Sequence, residues 1–209
     1  MTWGELKMVT LQKIFAITGD KIVTDDTTNP YIKSMPQVAN EALQQLTLNG
    51  RRICKSTEIT RTAEEAASAG YGYLKIDLYD AVSRFYSLRS EGIFYTDENG
   101  NLSSDTDYKI RGGHYLYLPA NKAGTWEIWY DAYPKHITSE TPDTEEVDTD
   151  PECAVIMPLY MASQLYKDDD ISMATVWRNE FETALERIIN NEKNRVETSE
   201  SFRCTTGWW

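Results

Sequence analysis

The sequence changes its hydrophobic period twice, and that double switch limits the folds open to it. Residues 1–50 and 150–193 repeat their apolar positions every three to four residues, the spacing of a helix face. Residues 51–137 alternate every second residue and are rich in β-branched and aromatic side chains, the spacing of half-buried strands. Helices, then strands, then helices again imply an α+β chain in which a β-domain interrupts a helical one. The expected layout is a four-helix bundle-like domain, two helices from each end, with an inserted antiparallel β-sandwich-like domain. Its segments are 1–50, 51–137, an acidic linker at 138–150, 151–195, and a tail at 196–209.

The helical segments carry their own start and stop signals. Thr2 and Glu5 form a capping box ahead of a helix over 3–15, with Met8, Leu11 and Phe15 as the expected buried face and Gly19-Asp20 as the stop. Ser34 is the expected cap of a second helix bearing Met35, Val38, Ala42 and Leu46, ended by Gly50. Asp150 and Pro151 open a third, apolar nearly all round, with a kink expected at Pro158. The last helix, 171–193, places Ala174, Trp177, Phe181, Leu185 and Ile188 on one stripe.

Seven candidate strands fall at 51–60, 71–80, 83–89, 92–97, 106–112, 113–119 and 125–134. In the last of them Trp126, Ile128 and Tyr130 alternate with Thr125, Glu127, Trp129 and Asp131, which sets one apolar face inward. Turns are expected at Asn99-Gly100, Gly112-Gly113 and Lys122-Ala123-Gly124. Residues 137–152, "ITSETPDTEEVDTDPE", offer little to bury and read as a linker or solvated arm.

Charge narrows the function. With 33 acidic against 21 basic residues and a formal net charge of −12, gripping nucleic-acid phosphates is disfavoured. Cys54, Cys153 and Cys204 are widely spaced with no CxxC pair, as expected of reduced thiols in a cytoplasm-like compartment. The N-terminus lacks a signal-peptide pattern, and no stretch is apolar enough to span a membrane.

Catalytic signatures are missing from the sequence. "GYGYLK" at 70–75 lacks the third glycine of a dinucleotide fingerprint, and there is no phosphate-binding loop. His114 and His136, the two imidazoles, sit in strand-like segments and are read as structural or surface groups. Asp97, Asn99 and Asn101 alternate as in a calcium loop, but the glycine comes early and Tyr108 replaces the bidentate Glu, so a hairpin tip is expected. Asp168, Asp169 and Asp170 could be a metal cluster only if an acidic group from 143–150 joined them. The simpler reading is an interhelical turn whose carboxylates cap the last helix and favour its positive end. Trp126 and Trp129 face opposite sides of one strand, and an exposed one permits carbohydrate stacking, a second functional reading. No catalytic, cofactor or metal residue is expected.

Three stretches carry a family likeness: "TWGELKMVTLQKIF", "MPQVANEALQQL" and above all "PECAVIMPLYMASQLYKDDDISMATVWRNEFETAL". The last resembles the Pro-Glu start, apolar small-residue helix, acidic turn and aromatic-anchored helix of bacteriophage head-to-tail adaptor, or connector, proteins, the tail tubular A type among them. The resemblance implies a virion structural protein made in the host bacterial cytoplasm and placed at the head-tail junction. It implies a homo-oligomeric ring, commonly of twelve copies, between the portal protein and a tail or nozzle protein, through which genomic DNA passes without sequence-specific binding. It also implies that the C-terminal extension docks on the portal, and Phe202, Trp208 and Trp209 are the residues suited to anchor it.

Overall fold

A computed structural model describes residues 1–15, 24–105 and 107–193. The Gly19-Asp20 stop lies outside them. Six helices and seven strands are described: α1 (Trp3–Phe15), α2 (Asn29–Leu48), β1 (Ile53–Arg61), α3 (Ala63–Ala69), β2 (Tyr73–Asp77), α4 (Leu78–Ala81), β3 (Phe85–Thr96), β4 (Leu102–Asp105), β5 (Lys109–Arg111), β6 (Tyr115–Pro119), β7 (Gly124–Ala132), α5 (Pro151–Leu165) and α6 (Ile171–Lys193). The α+β class expected from the two period changes is what the chain adopts. Its described residues form two compact units, one drawn from 1–39, 139–145 and 151–193, the other from 40–138 and 146–150.

In the first unit α1 packs on α5, and α5 on α6. The Thr2–Glu5 box opens α1, with Glu5 Oε2 accepting the Thr2 N–H at 2.8 Å and Thr2 Oγ1 accepting the Glu5 N–H at 3.2 Å. Its buried residues are Trp3, Leu6, Thr10, Leu11 and Ile14, so the inward stripe is rotated from the expected Met8-Leu11-Phe15 face. Thr10 is admitted because its hydroxyl donates to the Leu6 carbonyl at 2.8 Å, leaving no unmet polar atom. In α6 the expected Ala174, Trp177, Phe181 and Leu185 are buried, and Phe181 meets the Tyr160 ring of α5 edge-on at 5.2 Å.

Helix α2 begins earlier than expected, and Ser34 is inside it rather than at its cap. Asp25 and Thr28 make the start: Asp25 Oδ1 accepts the N–H groups of Thr27 and Thr28, and Thr28 Oγ1 accepts that of Asp25. Pro30 then falls in the first turn, where no N–H is needed, and the Ser34 hydroxyl donates to the Pro30 carbonyl. The helix ends in a Schellman motif, with Gly50 N–H on the Thr47 carbonyl and Arg51 N–H on that of Leu46. Gly50 takes the φ of +86° that this cap requires.

The second unit holds two antiparallel sheets, ordered β1-β7-β3-β4 and β2-β6-β5. One core joins them, with Leu116 and Leu118 of β6 among Ile93 and Tyr95 of β3 and Trp126, Ile128 and Tyr130 of β7. The strands expected at 83–89 and 92–97 are one strand, β3, whose register shifts between Phe85 and Ser87 and between Leu88 and Ile93. Each shift inserts unpaired residues and breaks the two-residue period, so one bulged strand looks like two in the sequence. The short polar β4 and the helices α3 and α4 were not expected, although α3 has its own capping box in Thr62 and Glu65.

Candidate functional site

The three aspartates lie at the α5–α6 corner, and two of them have distinct partners. Asp170 Oδ1 accepts the N–H groups of Ser172 (2.9 Å) and Met173 (3.1 Å), the first orphan donors of α6. Asp169 accepts the Tyr31 hydroxyl at 2.6 Å, and Tyr31 in turn meets Phe15 edge-on at 5.0 Å. That hydrogen bond, with burial and the Asp169 charge, pushes the Tyr31 hydroxyl pKa up to about 12. Asp168 is exposed. Asp169 and Asp170 are thus spent on different donors, one from α2 and the others from the first turn of α6. Among the described residues, no three His, Cys, Asp or Glu side chains are placed to hold a metal ion. Asp170→Ala is expected to destabilise the protein by about 1 kcal/mol, read as a lower melting temperature, with Asp168→Ala leaving it unchanged.

The two tryptophans of β7 part as their spacing requires, Trp126 fully buried and Trp129 half-buried on the opposite face. Trp129 lines a shallow hollow of about 340 Å³ with Cys54, Phe94, Leu102 and Glu127. Sugar recognition needs several polar groups converging on hydroxyls. Glu127 is the single charged side chain lining this hollow, which is otherwise apolar.

Residues 138–150 are tied to the rest of the chain at many points. Within the first unit the Asp143 and Glu145 carbonyls accept the N–H groups of Gly4 and Trp3, and Asp143 pairs with Lys7 at 2.5 Å. Within the second unit Asp150 pairs with Arg51 at 2.5 Å, and Asp148 pairs with Arg84 and accepts the Lys135 N–H at 3.0 Å. Ile137 is buried beside this run, clasped by Asn40, whose side-chain amide donates to its carbonyl (2.7 Å) and accepts its N–H (2.9 Å). Arg84 reaches its partner from a left-handed backbone, φ +60°, uncommon outside glycine. The long-range pairs could not be read from the sequence, because their partners lie far apart along it: 97 positions for Asn40 and Ile137, 99 for Arg51 and Asp150, and 64 for Arg84 and Asp148.

Burial works to raise the Asp148 pKa, but the Arg84 guanidinium, the Lys135 N–H and the charge of Lys55 outweigh it and hold the carboxyl below its ordinary 3.8. A carboxylate held low stabilises the fold fully above its unfolded pKa, and that stabilisation is lost as pH falls through the folded value. Asp148→Asn is therefore expected to lower stability by about 1–2 kcal/mol at neutral pH. The gap to the unaltered protein should close as melting is followed below about pH 4.

His114 sits between the rings of Tyr79 (4.7 Å) and Tyr115 (4.0 Å), with Nδ1 2.8 Å from the Gly112 carbonyl. The calcium-like Asp97, Asn99 and Asn101 form the β3–β4 turn, in which Asp97 Oδ1 accepts the N–H groups of both asparagines. Its bonds to Asn101, side chain first, keep the Asp97 carboxyl below its usual range. Phe202, Trp208 and Trp209 lie outside the described residues. No helix among the described residues is long and apolar enough to cross a membrane. A comparison with known families matches residues 1–203 to the one described as SU10 adaptor protein. No curated protein matches the chain in sequence.

Proposed function

Because the chain belongs to the SU10 adaptor protein family, a family of phage head-to-tail adaptors, we propose that its copies form a ring between portal and tail whose bore is the DNA passage. The observation that carries this reading is the family match, which runs from the first residue to 203 of 209. A net charge of −12 per copy, repeated around a ring, makes a wall that repels phosphates and lets DNA slide. In this reading the helices of 1–50 and 151–195 build the wall, the β-insert of 51–137 meets tail components, and twelve copies match the portal.

The tail, 196–209, docks on the portal through Phe202, Trp208 and Trp209. Aromatic anchors of this kind carry about 2 kcal/mol or more apiece at interfaces. Mixing the protein with the portal protein of the same virus is expected to give a ring of adaptor on portal, seen by electron microscopy and weighed by native mass spectrometry. Deleting 201–209 should weaken docking at least about tenfold without lowering the melting temperature. A full-length protein that ignores its portal would remove the ring reading. Unchanged docking of the truncated chain would remove only the role of the tail.

A further inference from the structure

The sheet β2-β6-β5 turns Leu116 and Leu118 into the core and leaves its other face open. On that open face Lys75 stands opposite Tyr117, which stands opposite Lys109, while Tyr115 stands opposite Arg111. Each cation lies over a tyrosine ring: Lys75 over Tyr115 at 3.7 Å, Lys109 over Tyr73 at 4.3 Å, and Arg111 over Tyr117 at 5.8 Å. None of the three is within ion-pair distance of a carboxylate among the described residues. Asp77 is the one acid in the face, and it accepts the Tyr79 N–H as the cap of α4. Just ahead of β2, between two glycines, Tyr71 is 98 % exposed.

A positive, tyrosine-rich face is out of character for a chain of net charge −12. Copies of such a chain repel one another unless a patch of reversed sign meets their acidic surface. A closed ring needs a heterologous contact, in which two different patches of the same chain meet. Nucleobases are poorly served by the sheet itself, since stacking requires bare ring faces and those of Tyr73, Tyr115 and Tyr117 lie beneath ammonium and guanidinium groups. What the face presents outward is N–H and O–H donors backed by aromatic rings, suited to carboxylates and to the Tyr and Arg contacts that dominate protein interfaces.

We propose that the open face of β2-β6-β5 is the docking surface for acidic side chains of a second copy of this chain, with Tyr71 as an anchor at its edge. The proposal rests on the ring reading above and adds to its helical wall a contact between the β-inserts of neighbouring copies. It is tested on the full chain by sedimentation velocity, alone and with portal protein, at low and high salt. Isotopically light and heavy copies are also mixed and joined by a zero-length carbodiimide cross-linker.

The unaltered protein should assemble less as salt rises, and intermolecular cross-links should join Lys75 or Lys109 to carboxylates of the other copy. Lys75→Glu, Lys109→Glu and Arg111→Glu together should weaken assembly at least about tenfold. The matching triple Gln variant, gentler on folding, should weaken it less. Melting curves check that both variants fold. Assembly of the folded variants at the unaltered level, or cross-links that leave out both lysines, would overturn the proposal while leaving the ring intact. An unaltered protein that stays monomeric with portal and yields no link between copies would remove ring and contact together. Binding of a thymidine oligonucleotide that the Glu variant loses, with assembly unchanged, would reassign the face to nucleic acid.

Discussion

Replacing Trp126 by alanine is expected to destabilise the protein by about 3–5 kcal/mol, the largest loss of any single substitution considered. Trp126 is fully buried on β7, the strand flanked by β1 and β3, where it pairs with Ile59 on one side and Tyr95 on the other. Its ring lies 5.1 Å from that of Tyr95, and the shared core of both sheets closes around it. Neighbours held by ladders on both sides cannot collapse into the space left by an indole, so the cavity adds to the lost transfer energy. A domain at the low end of ordinary stability, about 5 kcal/mol, would be left close to its unfolding threshold. Trp129→Ala, three residues along the same strand, should cost less than half as much, because Trp129 is only half-buried at the rim of an open hollow. Urea titrations of the two variants decide it, and equal losses would contradict the inward placement of Trp126.

That pair of tryptophans also shows what the sequence makes legible. Alternation along β7 separates them because a strand turns successive side chains to opposite faces, a rule that needs no tertiary knowledge. The stripe of α6 is legible for the same reason, since Ala174, Trp177, Phe181 and Leu185 recur at the helical period. Where the period fails, reading fails with it. The bulges of β3 divide one strand into two apparent ones, and "LSSD" of β4 is too short and polar to signal an edge strand. Helix α1 is turned from its expected face because a buried threonine with a satisfied hydroxyl looks like a surface residue. Contacts between distant positions leave no periodic trace, as with Tyr31 and Asp169, 138 residues apart, or the cations and tyrosines that β2, β5 and β6 bring to one face. The family likeness was legible because it rests on local packing patterns in the helices, and the family match covers nearly the whole chain.

Gly124→Ala is expected to destabilise by about 2–4 kcal/mol, through crowding where Trp126→Ala acts through a void. Gly124 starts β7 with φ at +135°, a conformation that a Cβ makes strained in any surroundings. A Cβ there would also lie 2.5 Å from the Thr96 carbonyl oxygen and 2.6 Å from the Tyr95 ring. Neither neighbour can yield. Thr96 is backbone within the β3–β7 ladder, and the Tyr95 ring is fixed between Trp126 and the hydrogen bond from its hydroxyl to the Ala123 carbonyl. Gly100 separates the two contributions, since its φ is also positive, +83°, but nothing lies within 4 Å of an added Cβ. Gly100→Ala should therefore show the backbone cost alone, about 1 kcal/mol. The excess of Gly124→Ala over Gly100→Ala in matched melting experiments measures the close approach of β7 to β3. No excess would mean that the strand start has room, and that Tyr95 is not held where the core of the β unit requires it.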